Sequence, residues 1–165
     1  MPNRAMELYV TGLVNAHAME REAQEMLERG IQRLTDYPDL VARLREHLAE
    51  TKEQLKRLDK LLADQETSSS IVKDTALAAG ANLTAMAHTM ANDEVLKNSF
   101  ASNALEAFEI AAYKSLIAMA EEAGVRVKTI LSESLREEER MAAWLDQNIE
   151  KVTLDYLRKE QRAAA

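Results

Sequence analysis

Chain-breaking residues are almost missing from this sequence. Its 165 residues include four glycines and two prolines. A sheet protein of this length turns often, and turns consume Gly, Pro, Asn and Asp. Sandwiches, barrels and doubly wound sheets are therefore excluded on punctuation alone. Apolar residues make up 47% of the chain, enough for a sizeable core, which also excludes disorder. What remains is a helical domain.

The few breakers divide the chain into five helical segments, roughly 4–34, 38–65, 71–90, 93–123 and 125–160. Asp36-Tyr37-Pro38-Asp39 ends the first and opens the second, with Pro38 in a first-turn position. Thr67-Ser68-Ser69-Ser70 is the most loop-like stretch, and Ser70 can cap the third segment. Asn92-Asp93 is weaker punctuation. Gly124 reads as the glycine that closes a helix, whereas Gly80, inside an Ala-rich segment, permits close packing.

Within the segments, apolar residues step by four and three, the spacing of a bundle seam. In the first, positions 6, 10, 13, 17, 20, 24, 27, 31 and 34 are apolar at both ends and polar in the middle. In the second, Leu44, Leu48, Thr51, Leu55, Leu58 and Leu62 form a seam beside a row of His47, Glu50 and Gln54. The fourth carries two rows, Leu105-Glu109-Ala112-Leu116-Met119 and Glu106-Ile110-Tyr113-Ile117-Ala120. The fifth runs from Leu131 through Glu138 to Tyr156. Four long helices can bury such seams against one another, and the shorter 71–90 segment can link two hairpins. The expectation is an all-α, ferritin-like antiparallel four-helix bundle with a fifth, crossover helix, spanning 1–165 as one domain. The last helix overhangs, and residues 161–165 fray.

Each long helix sets a glutamate on or beside its seam near mid-helix: Glu20, Glu50, Glu109 and Glu138. A buried carboxylate must be protonated, paired or bound to a cation. Glu20 and Glu50 are 30 residues apart, and Glu109 and Glu138 are 29 apart. Two hairpins with near-equal offsets bring all four to one height, the arrangement of di-iron and di-manganese carboxylate bundles. The Glu-x-x-His pattern of that class is absent. Histidine comes one turn earlier instead, as His17-x-x-Glu20 and His47-x-x-Glu50, where each pair shares a helix face. Either histidine could ligate metal or hydrogen-bond a carboxylate, and Glu106 could substitute for Glu109. The bland alternative is solvated or salt-bridged glutamates and structural histidines. In the run Arg136-Glu137-Glu138-Glu139-Arg140, Glu138 alone is expected to point inward.

Other classes are excluded more simply. The net charge is −7 with no basic stripe, so no nucleic-acid partner is expected. Cysteine is absent, which removes disulfides, thiolate zinc sites, iron–sulfur clusters and thiol catalysis. No run of 18 apolar residues exists and the first residues have no apolar core, so neither a membrane span nor a signal peptide is expected, and the cytoplasm is the expected location. Neither a glycine-rich phosphate loop nor a Gly-x-Ser-x-Gly elbow occurs. The tail from Val152 to Lys159 reads as an oligomer contact.

Four stretches resemble the YciE/YciF family of small ferritin-like bacterial proteins: residues 18–22, His47 to Leu58, Leu105 to Tyr113, and Leu131 to Glu139. The resemblance covers residues 7 to 150. It implies a five-helix ferritin-like bundle, a homodimer, an association with stress responses and a dinuclear iron or manganese centre with no established reaction. By motif position the family's acidic ligands fall on Glu20, Glu50, Glu109 and Glu138; in a metal site built on them, His47 is expected to be a ligand or its orienting partner. Gln54 stands where members often carry His, Ala142 where they carry Asp, and Ala107 where a His is common. Each departure removes a ligand or a donor. Two readings stay open: a metal site, and a metal-free dimeric structural or interaction protein.

Overall fold

Each long seam forms the helix its spacing requires. In the computed structural model, which describes residues 4–66 and 94–164, α1 spans Arg4–Arg33, α2 Pro38–Glu66, α3 Glu94–Glu122 and α4 Lys128–Ala163. Helix boundaries fall within three residues of those read from the sequence, the widest gaps being at the two ends of α4. No strand occurs among the described residues. The expected crossover helix at 71–90, the caps at Ser70 and Asn92-Asp93 and the packing of Gly80 lie outside the described residues.

Two apolar clusters fix the packing. One joins the start of α1 (Tyr9, Leu13, Met19), the end of α2 (Leu58, Leu61), the end of α3 (Tyr113, Leu116, Ala120) and the start of α4 (Leu131). The other joins the end of α1 (Leu27), the start of α2 (Leu40, Leu44), the start of α3 (Val95) and the later half of α4 (Met141, Leu145, Val152). Beginnings meet ends within each hairpin, so α1 runs antiparallel to α2 and α3 to α4. Helix α2 therefore finishes at one end of the bundle and α3 starts at the other. Gly12 lets α1 close on α3, because a Cβ there would lie 2.9 Å from Leu116 Cδ1.

The turn from α3 to α4 is set by one residue. Gly124 has φ 75°, the left-handed region that strains a side chain. That conformation lets Val125 N–H donate to the Ala120 carbonyl at 2.8 Å and Gly124 N–H to the Glu121 carbonyl at 3.0 Å, a Schellman closure. Gly124→Ala keeps every contact and forces a left-handed alanine. It is expected to cost about 1 kcal/mol in chemical denaturation without altering the helical spectrum.

Away from the apolar clusters, an ion-pair cluster centred on Arg57 ties α2 to α4. Arg57 grips Glu137 with both nitrogens, at 2.6 and 2.9 Å, and reaches Glu133 at 3.0 Å and the Ser134 hydroxyl at 3.2 Å. Glu137 is thereby buried together with Glu138. The expectation that Glu138 alone of that run points inward is corrected, because a two-pronged guanidinium neutralises its neighbour.

Candidate metal centre

Between the two apolar clusters lies a polar layer. It is built where each seam turns from apolar to acidic. Helix α1 contributes Glu20, α2 contributes His47 and Gln54, α3 contributes Glu106 and Glu109, and α4 contributes Glu138, all buried. His47 and Gln54 are seven residues apart on one face of α2, with Thr51 between them. Glu106 and Glu109 are both inward because α3 packs against α1 on one side and α4 on the other.

Donor atoms of His47, Glu106, Glu109 and Glu138 lie within 4.8 Å of one another, close enough to hold a metal ion. His47 Nε2 sits 3.3 Å from Glu138 Oε2 and 3.4 Å from Glu106 Oε1. Its other nitrogen, Nδ1, is 3.0 Å from Glu50 Oε2. Tyr113 donates its hydroxyl to Glu20 Oε1 at 2.6 Å, and the Gln54 amide donates to Glu138 Oε1. Five buried carboxylate oxygens receive no protein hydrogen bond: Oε2 of Glu20, Glu106 and Glu138, and both oxygens of Glu109. Unsatisfied oxygens on four carboxylates beside an imidazole are a hard, anionic donor set of the kind that divalent iron and manganese take. The residues present therefore fit such an ion.

The sequence-derived set divides here. Glu20, His47, Glu109 and Glu138 come together in the layer, and Glu106 joins them. Glu50 stands at its rim, with its side chain 21% exposed against 0% for Glu138. Arg140 binds Glu50 Oε1 at 2.9 Å and Arg43 approaches Oε2 at 3.3 Å, so this carboxylate is already neutralised. It faces the outer nitrogen of His47 rather than the convergent oxygens. His17 is at the surface, 3.0 Å from Asp59. Gln54 and Tyr113 hold carboxylates in place, a role that the sequence hinted at only through their places on the buried rows.

Proton affinities follow from burial. Desolvation lifts the Glu109 carboxyl well above the usual range, and the neighbouring Glu20, Glu138 and Glu106 add to it. Glu20 is raised likewise by burial and then by Glu138, against the opposing bond from Tyr113. Burial pushes Glu106 up to about 7, with His47 pulling the other way. Burial alone would lower His47, but the carboxylates of Glu106, Glu138 and Glu50 outweigh it and hold the imidazolium up to about 12. Glu50 is the exception: burial raises it, yet His47, Arg140 and Arg43 bring it down to about 2.

The chain is similar to known proteins over most of its length. The family model described as "Domain of unknown function (DUF892)" matches residues 4–158. Among solved structures, a protein (XCC3681) from Xanthomonas campestris pv. campestris shares 30% identity, with 96% of this chain and 99% of that one covered and a TM-score of 0.79. YcfI from Rhodopseudomonas palustris shares 27% identity over 87% of this chain and 94% of its own, with a TM-score of 0.67. The E. coli stress protein YciF shares 22% identity over 93% and 98%, with a TM-score of 0.70.

Proposed function

This chain belongs to the DUF892 family, as its resemblance to the YciE/YciF proteins anticipates, and we propose from that premise that it is a ferritin-like bundle with a dinuclear carboxylate metal centre and a role in stress response. The observation that carries this reading is the buried convergence of His47, Glu106, Glu109 and Glu138 with carboxylate oxygens left unsatisfied. His47 Nε2 and the three glutamates hold the first ion. Glu20 Oε2, free and buried in the same layer, serves the second. Glu50 orients His47 by accepting from Nδ1, which leaves Nε2 for metal. A bound iron or manganese pair supplies redox chemistry toward oxygen or peroxide. The protein's own part is to exclude water with the two apolar clusters and to fix Glu20 and Glu138 through Tyr113 and Gln54. Its raised carboxyls and the His47 imidazolium would give up their protons to solvent as metal binds.

The same reading includes the crossover helix, which the opposite-end positions of α2 and α3 support. It includes a homodimer, for which exposed Phe100 and Phe108 on α3 offer apolar surface. It places the protein in the cytoplasm without nucleic-acid or membrane partners. Among the described residues no helix is long and apolar enough to cross a membrane. The stress role comes from YciF, whose description carries it.

Protein stripped with chelator, loaded with iron(II) or manganese(II) and dialysed is expected to retain about two ions per chain. One ion would retain the centre and remove its dinuclear form. No ion above the dialysis control would defeat the reading. The rival is a metal-free structural protein, in line with the structural role suggested for YcfI. It is favoured by the His47 cation, which already faces three carboxylates. It predicts a melting temperature indifferent to metal.

A further inference from the structure

The candidate centre is closed along the bundle axis. An ion arriving from either end would cross one of the two apolar clusters, at a desolvation cost no side chain there offsets. Sideways, the situation differs. Glu50 touches His47 on its inner side and lines an open surface groove between α2 and α4 on its outer side. Asp39, Glu46, Arg43 and Arg140 share that groove, so three carboxylates, counting Glu50, face two guanidiniums.

We propose that this groove is the route by which a divalent cation enters the bundle, with Glu50 as the receiving ligand and the Arg140–Glu50 ion pair as the closure over it. The inference rests on the metal-centre reading above. Arg140 is mostly exposed and holds Glu50 by a single 2.9 Å contact, a pairing that opens at little cost in water. Opening it turns Glu50 Oε1 toward the groove while Oε2 stays against His47 Nδ1. Behind His47, Nε2 faces Glu138 and Glu106. Carboxylate, imidazole and inner carboxylates thus form an unbroken inward series of donors. A cation moving along it exchanges water for protein ligands one at a time and crosses no apolar layer. The buried His47 ring is the remaining barrier, and its rotation passes the ion from Glu50 to Glu138.

Chelator-stripped full-length protein is mixed with manganese(II), and the free ion is counted over time by its EPR signal. Arg140→Gln is expected to load about threefold faster than wild type, the change that losing an exposed ion pair produces. Ala143→Trp fills the groove from an exposed position on α4 and is expected to load at least about threefold slower, reaching the same final manganese content. Ala42→Trp, on the α2 wall, gives the same slowing should the first variant fold poorly. Unchanged rates in Arg140→Gln and the tryptophan variants, with full final content, would overturn the route and leave the centre standing. No manganese bound by wild type at any time would overturn the centre and the route together.

Discussion

Glu138→Ala is expected to weaken divalent metal binding by at least about 100-fold, measured by competition with a chromophoric chelator. Glu138 is the least exposed of the acidic groups and the one around which the others gather. Its Oε1 is fixed by Gln54, its Oε2 lies beside His47, and its charge raises the proton affinity of Glu20, Glu106 and Glu109. Removing it takes away a ligand central to the donor set. Glu50→Gln provides the contrast. It retains an acceptor for His47 Nδ1 and removes no convergent oxygen, so a loss of only about tenfold is expected. Equal losses for both substitutions would place Glu50 among the ligands. No loss for Glu138→Ala would remove the centre from this layer.

The second large effect is on the stability of the chelator-treated protein, which is expected to fall as pH rises through neutrality. The sign comes from linkage. A carboxyl whose folded pKa lies above its unfolded value stabilises the fold fully below the unfolded value. That contribution is lost as pH rises through the folded pKa. Glu106, lifted from 4.5 to about 7, loses its contribution across that window, on the order of 3 kcal/mol. Glu20 and Glu109, raised by the same burial, add to the loss as pH rises. His47, raised from 6.5 to about 12, acts in the same direction over the alkaline range. At the rim of the layer Glu50 opposes, since its folded value of about 2 makes its contribution appear as pH climbs from there to 4.5. The metal-free fold should therefore be most stable near pH 4.5 to 5, below the usual optimum of a soluble domain. Urea denaturation at several pH values checks this. Glu106→Gln, which cannot ionise, should flatten the slope between pH 4.5 and 7. Metal, which needs the ligands deprotonated, should reverse it.

The helices were legible because bundle periodicity is local information. Positions 10, 13, 20 and 27 of α1 and 131, 138, 145 and 152 of α4 are buried as the stepping requires. Glu20, Glu109 and Glu138 were legible for the same reason. Glu50 and Glu106 exchanged places because register alone does not rank neighbouring rows. On α2 the deepest face runs through His47, Thr51 and Gln54, which leaves Glu50 beside it and within reach of Arg43 and Arg140. On α3 apolar residues occur on every side, so both Glu106 and Glu109 had inward-facing rows, and only the packing against α1 and α4 shows that both are used. Glu137 escaped detection because its partner, Arg57, is 80 residues away in sequence. The Schellman glycine was legible because its signature is a single residue at a helix end.

The central claim is that the buried layer of glutamates and His47 is a cation site. Anomalous diffraction from crystals grown with manganese(II) tests it most directly. The account predicts a peak within about 2.0–2.3 Å of His47 Nε2 and of oxygens from Glu106, Glu109 and Glu138, with a second beside Glu20. Peaks confined to surface carboxylates, with His47 still in contact with Glu138 and nothing between the helices, would contradict it.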